Sequence, residues 1–314
     1  MLKVLLVGAG KMGEEYARVL NKLEIEFDAV CRSKPRSEDF SKKFDCKSFN
    51  NGLLNPNIDF KQYSHAIVAT PIQELKPICQ TLISYGIKTI LVEKPAGLNS
   101  NEINELNDYL VNNQAKIFVA YNRRFYASVL EAERIIKNDG GLLSCNFEFT
   151  EWSHVIEKLE TPKIVKENWF LANSSHVVDL VFYLIGNPIQ LFSLTSGKTT
   201  WFEPSIFVGS GIPEKNVLFN YGSNWNSAGR WRIELLTQMR KLILCPLEIL
   251  QEQKIGTVEV GEIENIDYSL DKQFKPGLFN QTKSFLTGDF TKLKSLPEHV
   301  NSLGFYNKME GRNL

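Results

Sequence analysis

Residues 3–13 read KVLLVGAGKMG, an apolar run followed by a glycine-rich turn. The apolar run predicts a buried β-strand over Lys3–Val7, and the amphipathic stretch after it predicts a helix over Met12–Leu23. The first glycine permits a tight turn, the second lets backbone amides approach a pyrophosphate, and the third allows helix and strand to pack closely. A structural turn without a ligand is the alternative. The context favours a dinucleotide-binding turn made by Gly8, Ala9, Gly10, Lys11, Met12 and Gly13.

The composition limits which kinds of binding partner and which cellular compartment we expect. The 314 residues suffice for one large or two ordinary domains, and 36 Lys and Arg balance 36 Asp and Glu. This balance lacks the basic excess typical of nucleic-acid binding or of membrane-surface binding. The five cysteines form no CxxC pair, so neither a disulfide framework nor a zinc site is indicated. The first apolar run is shorter than the roughly 7–15 residues of a secretory signal. We therefore predict a soluble, cytoplasmic protein without a nucleic-acid or membrane partner.

Hydrophobic periodicity changes once along the chain. Up to about residue 120, short apolar runs alternate with helical patterns, which is typical of βαβ units and a parallel sheet. After Tyr121, strands with one polar face appear, as in Leu143–Glu151, and one helix is predicted near Asn173–Ile185. The predicted fold class is α/β: a doubly wound parallel sheet over 1–121, then an α+β domain with a mostly antiparallel, open sheet over 122–314. The further strands predicted in the first domain are Phe27–Cys31, His65–Ala69, Thr89–Val92 and Ile117–Ala120.

The end of the second predicted strand bears on the choice of cofactor. A site that prefers NAD places Asp or Glu there, about 20 residues beyond the glycines, to bind the ribose 2′-hydroxyl. This chain has Arg32, Ser33 and Lys34 instead. A guanidinium, a hydroxyl and an ammonium suit a 2′-phosphate, so we predict NADP(H), with NAD(H) as the alternative. The simpler interpretation of these residues is a solvated basic loop.

Two later strand ends carry further candidates. Thr70 and Pro71 follow a buried strand at the carboxyl edge, where ligands lie in such sheets. The next strand ends in Glu93-Lys94-Pro95, and Pro95 favours an extended backbone at Lys94. The Lys94 ammonium is then expected beside the nicotinamide. A lysine there can exchange a proton with a substrate hydroxyl when desolvation or a neighbouring cation lowers its pKa.

The motifs GAGKMG, ATP, VEKP and YNRRF follow one another over residues 8–125. In order and approximate spacing they resemble the glucose-fructose oxidoreductase/inositol dehydrogenase (Gfo/Idh/MocA) family. The resemblance implies a Rossmann cofactor domain and a second domain that binds the substrate. It also implies a homodimer or homotetramer formed through the open face of the second sheet. Cofactor contacts are expected from the glycine turn, Arg32, Ser33, Thr70, Pro71, Glu93 and Lys94.

The same resemblance implies a catalytic histidine in a pattern like D-x-x-x-H-x-x-D. His176 and Asp179 match this pattern, but Ala172 stands where the first acid is expected. Asn173 is predicted to cap the helix and to place His176 in its first turn. A neutral imidazole can accept or donate the proton that accompanies hydride transfer. Without the first acid, Asn173 or Asp179 would have to orient His176, and a structural role for Asp179 is equally favoured.

The sequence thus predicts an NAD(P)-dependent oxidoreductase with Lys94 and His176 as catalytic residues. Its substrate would be a secondary alcohol or ketone on a sugar, a cyclitol or a nucleotide-sugar derivative, with one arginine on an anionic substrate group. No metal site is predicted, since no cluster has ligand spacing. The alternatives are an inactive, cofactor-sensing regulator and a reductase of a non-carbohydrate, such as biliverdin. The candidate substrate contacts are Tyr121, Arg123, Arg124, Trp169, Asn173, His176 and Asp179; a solvated turn or interior packing is the simpler interpretation of the arginines and Trp169.

Overall fold

The chain forms two units in the computed structural model, which describes residues 2–312. The first unit contains residues 2–122 and Leu270–Asn301, and the second contains Arg123–Ser269 and residues 302–312. The first unit is therefore formed by two separate segments of the chain. The sequence placed one boundary after residue 121 and assigned every later residue to the second domain. The return of Leu270–Asn301 was not foreseen, because this segment carries no motif of its own.

Helices and strands alternate through the first part of the chain. Continuous apolar strands such as Thr89–Val92 agree with burial on both faces of a parallel sheet. The elements are β1 (Lys3–Val7), α1 (Lys11–Lys22), β2 (Glu26–Val30), α2 (Lys34–Phe44), β3 (Lys47–Phe49), β4 (His65–Val68), α3 (Ile72–Ser84), β5 (Thr89–Val92), α4 (Ser100–Asn113) and β6 (Lys116–Val119).

Strands dominate the next part, and helices return at the end. The elements are α5 (Ala127–Asn138), β7 (Ser144–Glu148), α6 (Ser153–Ile156), α7 (Lys163–Lys166), a π-helical turn (Phe170–Ser174), α8 (Ser175–Ile185), β8 (Pro188–Ser196), β9 (Ile206–Pro213), β10 (Leu218–Asn224), β11 (Arg232–Leu236), β12 (Arg240–Leu244), β13 (Leu250–Lys254), β14 (Gly261–Glu262), α9 (Ser269–Gln273), α10 (Leu278–Thr287), β15 (Lys294–Ser295) and α11 (Leu296–Met309). No described helix is both long and apolar enough to cross a membrane.

The first unit is built on a seven-stranded sheet of order β15-β6-β5-β4-β1-β2-β3. Strands β1 to β6 pair in parallel, and β15 alone runs antiparallel, beside β6. The order 3-2-1-4-5-6 is that of a doubly wound dinucleotide-binding sheet, in which the order reverses beside β1. Ligands bind at such a reversal, outside the carboxyl ends of the strands. The predicted Rossmann architecture is confirmed.

Aromatic contacts hold the returning segment on this sheet. Phe285 of α10 packs edge-on against His65, with ring centroids 5.3 Å apart, and Phe290 stacks on Phe118 at 4.4 Å. Phe285 has no exposed surface. These contacts bury apolar area on both sides, so the segment is an integral part of the first unit.

The second unit contains an eight-stranded sheet of order β14-β13-β12-β11-β7-β10-β9-β8. Only β7 and β10 pair in parallel, which confirms the predicted, mostly antiparallel sheet. The alternation predicted for Leu143–Glu151 is present, since Cys145, Phe147 and Phe149 are buried. Phe182 of α8 packs against Phe219 of β10 at 6.0 Å, so this helix covers the apolar face.

Strand β9 was not predicted, because its sequence IFVGSGIP contains two glycines that weaken a strand pattern. In the structure, both glycines lie where the neighbouring strands approach the β9 backbone closely. A Cβ atom on Gly209 would lie 2.3 Å from the Tyr221 hydroxyl, and one on Gly211 would lie 2.5 Å from the Gln190 carbonyl oxygen. The neighbouring strands therefore leave no room for side chains at these two positions.

Candidate active site

The glycine turn lies between β1 and α1 in the first unit. Gly8 has φ +110°, and a Cβ atom added to it would lie 2.4 Å from the Ala69 carbonyl oxygen. A Cβ atom on Gly13 would lie only 1.9 Å from the Gly8 carbonyl oxygen. Around Gly10 there is no atom within 4 Å of the corresponding position. Gly8 and Gly13 thus permit internal packing, whereas Gly10 faces open space that a ligand can enter.

A cavity of about 760 Å³ opens beside this turn. The Thr70 hydroxyl is enclosed there and has no hydrogen-bond partner among the described residues. An enclosed hydroxyl and an open glycine cradle fit a polar, phosphate-bearing ligand such as a dinucleotide. Of the predicted cofactor contacts, the lining includes Gly8, Ala9, Gly10, Lys11, Arg32, Ser33, Thr70 and Pro71, and does not include Met12, Gly13, Glu93 or Lys94.

The basic groups at the end of β2 differ in their placement. Arg32 lines the cavity and pairs with Glu74, with Nη1 and Oε1 2.7 Å apart. Lys34 does not line it and has only a loose contact, 3.8 Å, with Glu38. Arg36 lines the cavity although the sequence analysis missed it. The missed signal was helical spacing, because a residue three positions after Ser33 lies on the same face of α2.

Arg36 is fixed against the glycine turn. Its Nε donates to the Ala9 carbonyl oxygen at 2.6 Å, and its Nη2 donates to Glu14 Oε1 at 2.6 Å. Lys43, which also binds Glu14, and Arg36 together lower the pKa of the Glu14 carboxyl. The Arg36 guanidinium is therefore held at the cavity edge by Glu14 of α1 and by the backbone of the glycine turn.

Contacts on either side of Lys94 hold its backbone after β5. The Glu93 carboxylate accepts a hydrogen bond of 3.0 Å from the Tyr16 hydroxyl of α1, and burial raises the pKa of Tyr16. The Lys94–Pro95 peptide bond is cis, where the sequence suggested only an extended backbone. The Pro95 carbonyl oxygen lies 3.1 Å from Nε2 of His299, a buried residue of α11.

The second unit presents His176 in the first turn of α8. The preceding residues form a π-helical turn, and a π-helical turn inside a helix often marks a functional site. The prediction that Asn173 caps this helix is wrong, because Asn173 lies within the π-helical turn. Its amide instead donates to Glu151, at 2.9 Å and 3.1 Å to the two carboxylate oxygens.

Glu151 is a buried carboxylate that the sequence analysis did not single out. It also accepts hydrogen bonds from the Ser174 hydroxyl at 2.8 Å and from Arg230 Nη1 at 3.2 Å. Burial raises its pKa, and the contacts with Ser174, Arg230 and Asn173 act in the opposite direction. The acid expected at position 172 is absent, but Glu151, three residues after β7, accepts hydrogen bonds from two residues of the adjoining π-helical turn. Its position as the last residue of the predicted strand Leu143–Glu151 was the available signal.

Arg124 and Asp179 form a buried, two-point ion pair. Arg124 Nε and Nη2 donate to the Asp179 carboxylate at 2.8 Å and 2.7 Å, and the guanidinium lies 4.7 Å from the Tyr183 ring centre. Asp179 is 1% exposed. These contacts favour the structural alternative for Asp179, and they argue against the expectation that Arg124 contacts substrate.

The remaining candidates have distinct surroundings. Tyr121 is buried in the first unit, with its ring 5.5 Å from His299. Trp169 packs edge-on against Trp201, with centroids 5.8 Å apart. Arg123 lies over the indole of Trp231, 4.6 Å from its centre. Within residues 2–312, no group of three or more His, Cys, Asp or Glu side chains is placed to hold a metal ion.

Comparison with known proteins agrees with this geometry. Residues 2–121 match the family described as an oxidoreductase family with an NAD-binding Rossmann fold. An uncharacterized oxidoreductase from Streptococcus pneumoniae serotype 4 is 23% identical over 241 residues. That match spans 74% of this chain but only 64% of the relative's length.

Solved structures share the fold across nearly the whole chain. Levoglucosan dehydrogenase in complex with NADH has a TM-score of 0.78 at 15% identity, covering 98% of this chain and 95% of that one. UDP-N-acetylglucosamine 3-dehydrogenase from Acidithiobacillus ferrooxidans has a TM-score of 0.72 at 13% identity, covering 99% and 97%. At such identities the likeness shows the fold alone. Residues 2–121 match the Gfo/Idh/MocA oxidoreductase family model, as their motifs predicted, and beyond residue 121 the comparisons show a shared fold.

The glycine turn yields a paired prediction. We expect Gly13→Ala to lower the thermal midpoint of unfolding, because its Cβ would collide with the Gly8 backbone. Gly10→Ala should leave the midpoint unchanged, since its φ of −77° suits alanine and nothing in the protein lies near the new Cβ. A clash of about 1–3 kcal/mol with a bound dinucleotide would weaken affinity about 5- to 150-fold. Thermal unfolding and dinucleotide titration measure both effects; undiminished affinity in Gly10→Ala would contradict the cradle.

Proposed function

We propose that this protein is an NAD(P)-dependent oxidoreductase that interconverts a secondary alcohol and a ketone on a sugar, a cyclitol or a nucleotide-sugar derivative. The observation that carries the proposal is the position of Lys94. It lies two residues after β5, at the carboxyl edge of a dinucleotide-binding sheet, and contacts to Glu93 and Pro95 fix its backbone. The named substrates of two structural neighbours, levoglucosan and a nucleotide sugar, support a sugar-like substrate.

The proposed chemistry assigns one task to each catalytic residue. When bound, the nicotinamide supplies the hydride acceptor for oxidation and the hydride donor for reduction. Lys94 Nζ accepts the hydroxyl proton during oxidation and returns it during reduction. The task assigned to the His176 imidazole, in the second unit, is to stabilise the negative charge that develops on the substrate. Glu151 holds Asn173 and Ser174 and so fixes the turn that leads into His176.

The competing function is that of a regulator that binds the cofactor without chemistry. One observation favours it: Ala172 replaces the expected acid before His176. The two functions separate in one assay, in which a panel of keto-sugars, including nucleotide-linked ones, is incubated with NADPH and its absorbance is followed. Turnover of any member supports the enzyme. Tight NADPH binding without turnover of any member supports the regulator, and reduction of biliverdin instead would indicate a non-carbohydrate reductase.

The catalytic assignment predicts a large loss of rate in two variants. On the compound that the panel identifies, Lys94→Ala and His176→Asn should each lower kcat about 10²- to 10⁴-fold, because proton transfer then loses its positioned group. Dinucleotide binding should persist, since neither residue lines the cavity. Lys88→Ala removes an exposed lysine before β5 and serves as the control with normal kcat. Near-normal turnover by Lys94→Ala would show that the mechanism is wrong.

For the cofactor, we propose a preference for NADP(H). The cavity edge carries Arg32, Ser33 and Arg36, and β2 ends without the acid that selects a ribose 2′-hydroxyl. Arg36 is the residue best placed to bind a 2′-phosphate, because it is already anchored to the glycine turn. The guanidinium retains further N–H groups for a phosphate after these contacts.

Replacement of Arg36 should therefore weaken the binding of NADP(H) more than the binding of NAD(H). Hydrogen bonds to a charged group contribute about 1.5–3 kcal/mol, so Arg36→Ala should weaken NADP(H) binding about 10- to 100-fold and NAD(H) binding much less. Lys42→Ala changes an exposed lysine of the same helix and is the charge-matched control. Calorimetric titration with both cofactors measures the ratio. Wild-type affinity for NAD(H) equal to or tighter than that for NADP(H) would overturn the proposed preference.

We also infer a homodimer or homotetramer through the second sheet. Its strands β8 to β10 expose large apolar side chains, and exposed apolar area of this kind marks association surfaces. Light scattering should give a multimeric mass at micromolar concentration; a monomeric mass would contradict this inference. The exposed apolar residues are Ile189, Phe192, Leu194, Val208 and Leu218.

A further inference from the structure

Two guanidinium groups lie over one indole in the second unit. Arg123 Cζ is 4.6 Å, and Arg230 Cζ 4.5 Å, from the centre of the Trp231 ring. Each contact is a favourable cation–π interaction, but together they bring two like charges to one ring. Such an arrangement is stable when negative charge is close by. The residues Arg123, Arg230 and Trp231 are called the arginine–tryptophan cluster below.

Glu151 is the acid paired with this cluster, and its hydrogen-bonding capacity is already used. It accepts from Arg230, from the amide of Asn173 and from the hydroxyl of Ser174. Burial raises the pKa of the Glu151 carboxyl, and its contacts with Ser174, Arg230 and Asn173 act in the opposite direction. Both Glu151 and Glu248 interact electrostatically with Arg123. Neither carboxyl group accepts a hydrogen bond from Arg123 Nε or from Trp231 Nε1.

Enclosed donors in the cluster also lack acceptors. Trp231 is 6% exposed, and its indole Nε1 has no hydrogen-bond partner among the described residues. The Arg123 Nε is likewise enclosed and without a partner in residues 2–312. Enclosed N–H groups are nearly always satisfied in folded proteins, by protein or by a bound group. An anionic group with several lone pairs would satisfy both donors.

Arg230 keeps part of its donor set open to a ligand. Its Nη1 binds Glu151 Oε2, and its Cζ lies 4.8 Å from the ring centre of Trp152. The Trp152 indole donates to the Gly229 carbonyl oxygen at 3.0 Å, which secures this stack. The Arg230 side chain is still 41% exposed. It is therefore fixed in position and accessible to solvent.

The cluster adjoins the proposed catalytic histidine. The His176 and Trp231 ring centroids are 6.3 Å apart. We propose that Arg123 and Arg230 bind an oxyanion substituent of the substrate, a carboxylate or a phosphoryl group. The substrate is then an acidic or phosphorylated sugar derivative, and the arginines fix its anionic end while His176 meets the reacting carbon's oxygen. This inference rests on the proposed function for the reaction, but the binding of the anion does not.

The test measures binding and requires no turnover. The dinucleotide-loaded protein is titrated calorimetrically with D-glucuronate, D-glucose 6-phosphate and D-glucose, and the tighter of the two anionic probes distinguishes carboxylate from phosphoryl recognition. We expect at least one anionic probe to bind about tenfold or more tightly than D-glucose, because a charge-assisted hydrogen bond from an arginine adds to the binding free energy. Arg123→Gln and Arg230→Gln should each abolish most of that preference.

Control variants separate local from general effects. Arg134→Gln removes an exposed arginine of the same unit, whose partner is Glu131, and should leave all three affinities unchanged. Arg123→Lys keeps the charge and loses the planar donor set, so a partial preference should remain; it also replaces Arg123→Gln if that variant fails to fold. Binding of D-glucose as tight as that of both anions, no binding of either anion, or an undiminished preference in both glutamine variants would overturn the inference.

Two outcomes distinguish this inference from the proposed function. Turnover of a neutral sugar that is unaffected by Arg123→Gln and Arg230→Gln would overturn anion recognition and leave the oxidoreductase standing. Anion binding that depends on both arginines, without turnover of any compound in the keto-sugar panel, would support the inference and count against the enzyme.

Discussion

The absence of a side chain at Gly13 is the constraint on which the cofactor unit depends. Helix α1 meets the carboxyl end of β1 so closely that a Cβ atom there would lie 1.9 Å from a backbone oxygen. Because of this approach, the first turn of α1 lies beside the cavity, and Tyr16 one turn later reaches Glu93 beside Lys94. One helix therefore serves both the glycine turn and the end of β5. Its position couples the geometry of cofactor binding to that of the proposed proton-transfer group.

Sequence patterns predicted most of the first unit because its signals are local. The strands at Lys3–Val7 and Thr89–Val92 have the predicted bounds, since each is a continuous apolar run that ends at a glycine or at a charged residue. Strand β3 was missed because KSF carries no apolar run, and β15 because it has only two residues. Both segments are strands because they pair with adjacent strands of the sheet. A local sequence pattern carries no information about that pairing.

The site residues divide in the same way. Lys94 and His176 belong to sequence motifs and are predicted as candidates from them, whereas Glu151 and Arg230 come together only through folding. The family pattern asks for an acid four residues before the histidine; this chain supplies a carboxylate from another element instead. A search of the sequence for an acid near His176 cannot find it. Burial of Glu151 and its contacts with the π-helical turn become visible only in three dimensions.

The segment Leu270–Asn301 has a consequence for biosynthesis. Residues 2–122 contain every dinucleotide motif, yet the edge of their sheet beside β6 is completed by β15, and Pro95 contacts a histidine from position 299. During translation, residues 2–122 emerge from the ribosome before Leu270–Asn301, which complete the unit. Until then its β6 edge is exposed, and an exposed strand edge invites pairing with other chains. For the same reason, residues 2–122 alone do not form the complete unit: a fusion that omits the final helices would carry the glycine turn without the contact between His299 and Pro95.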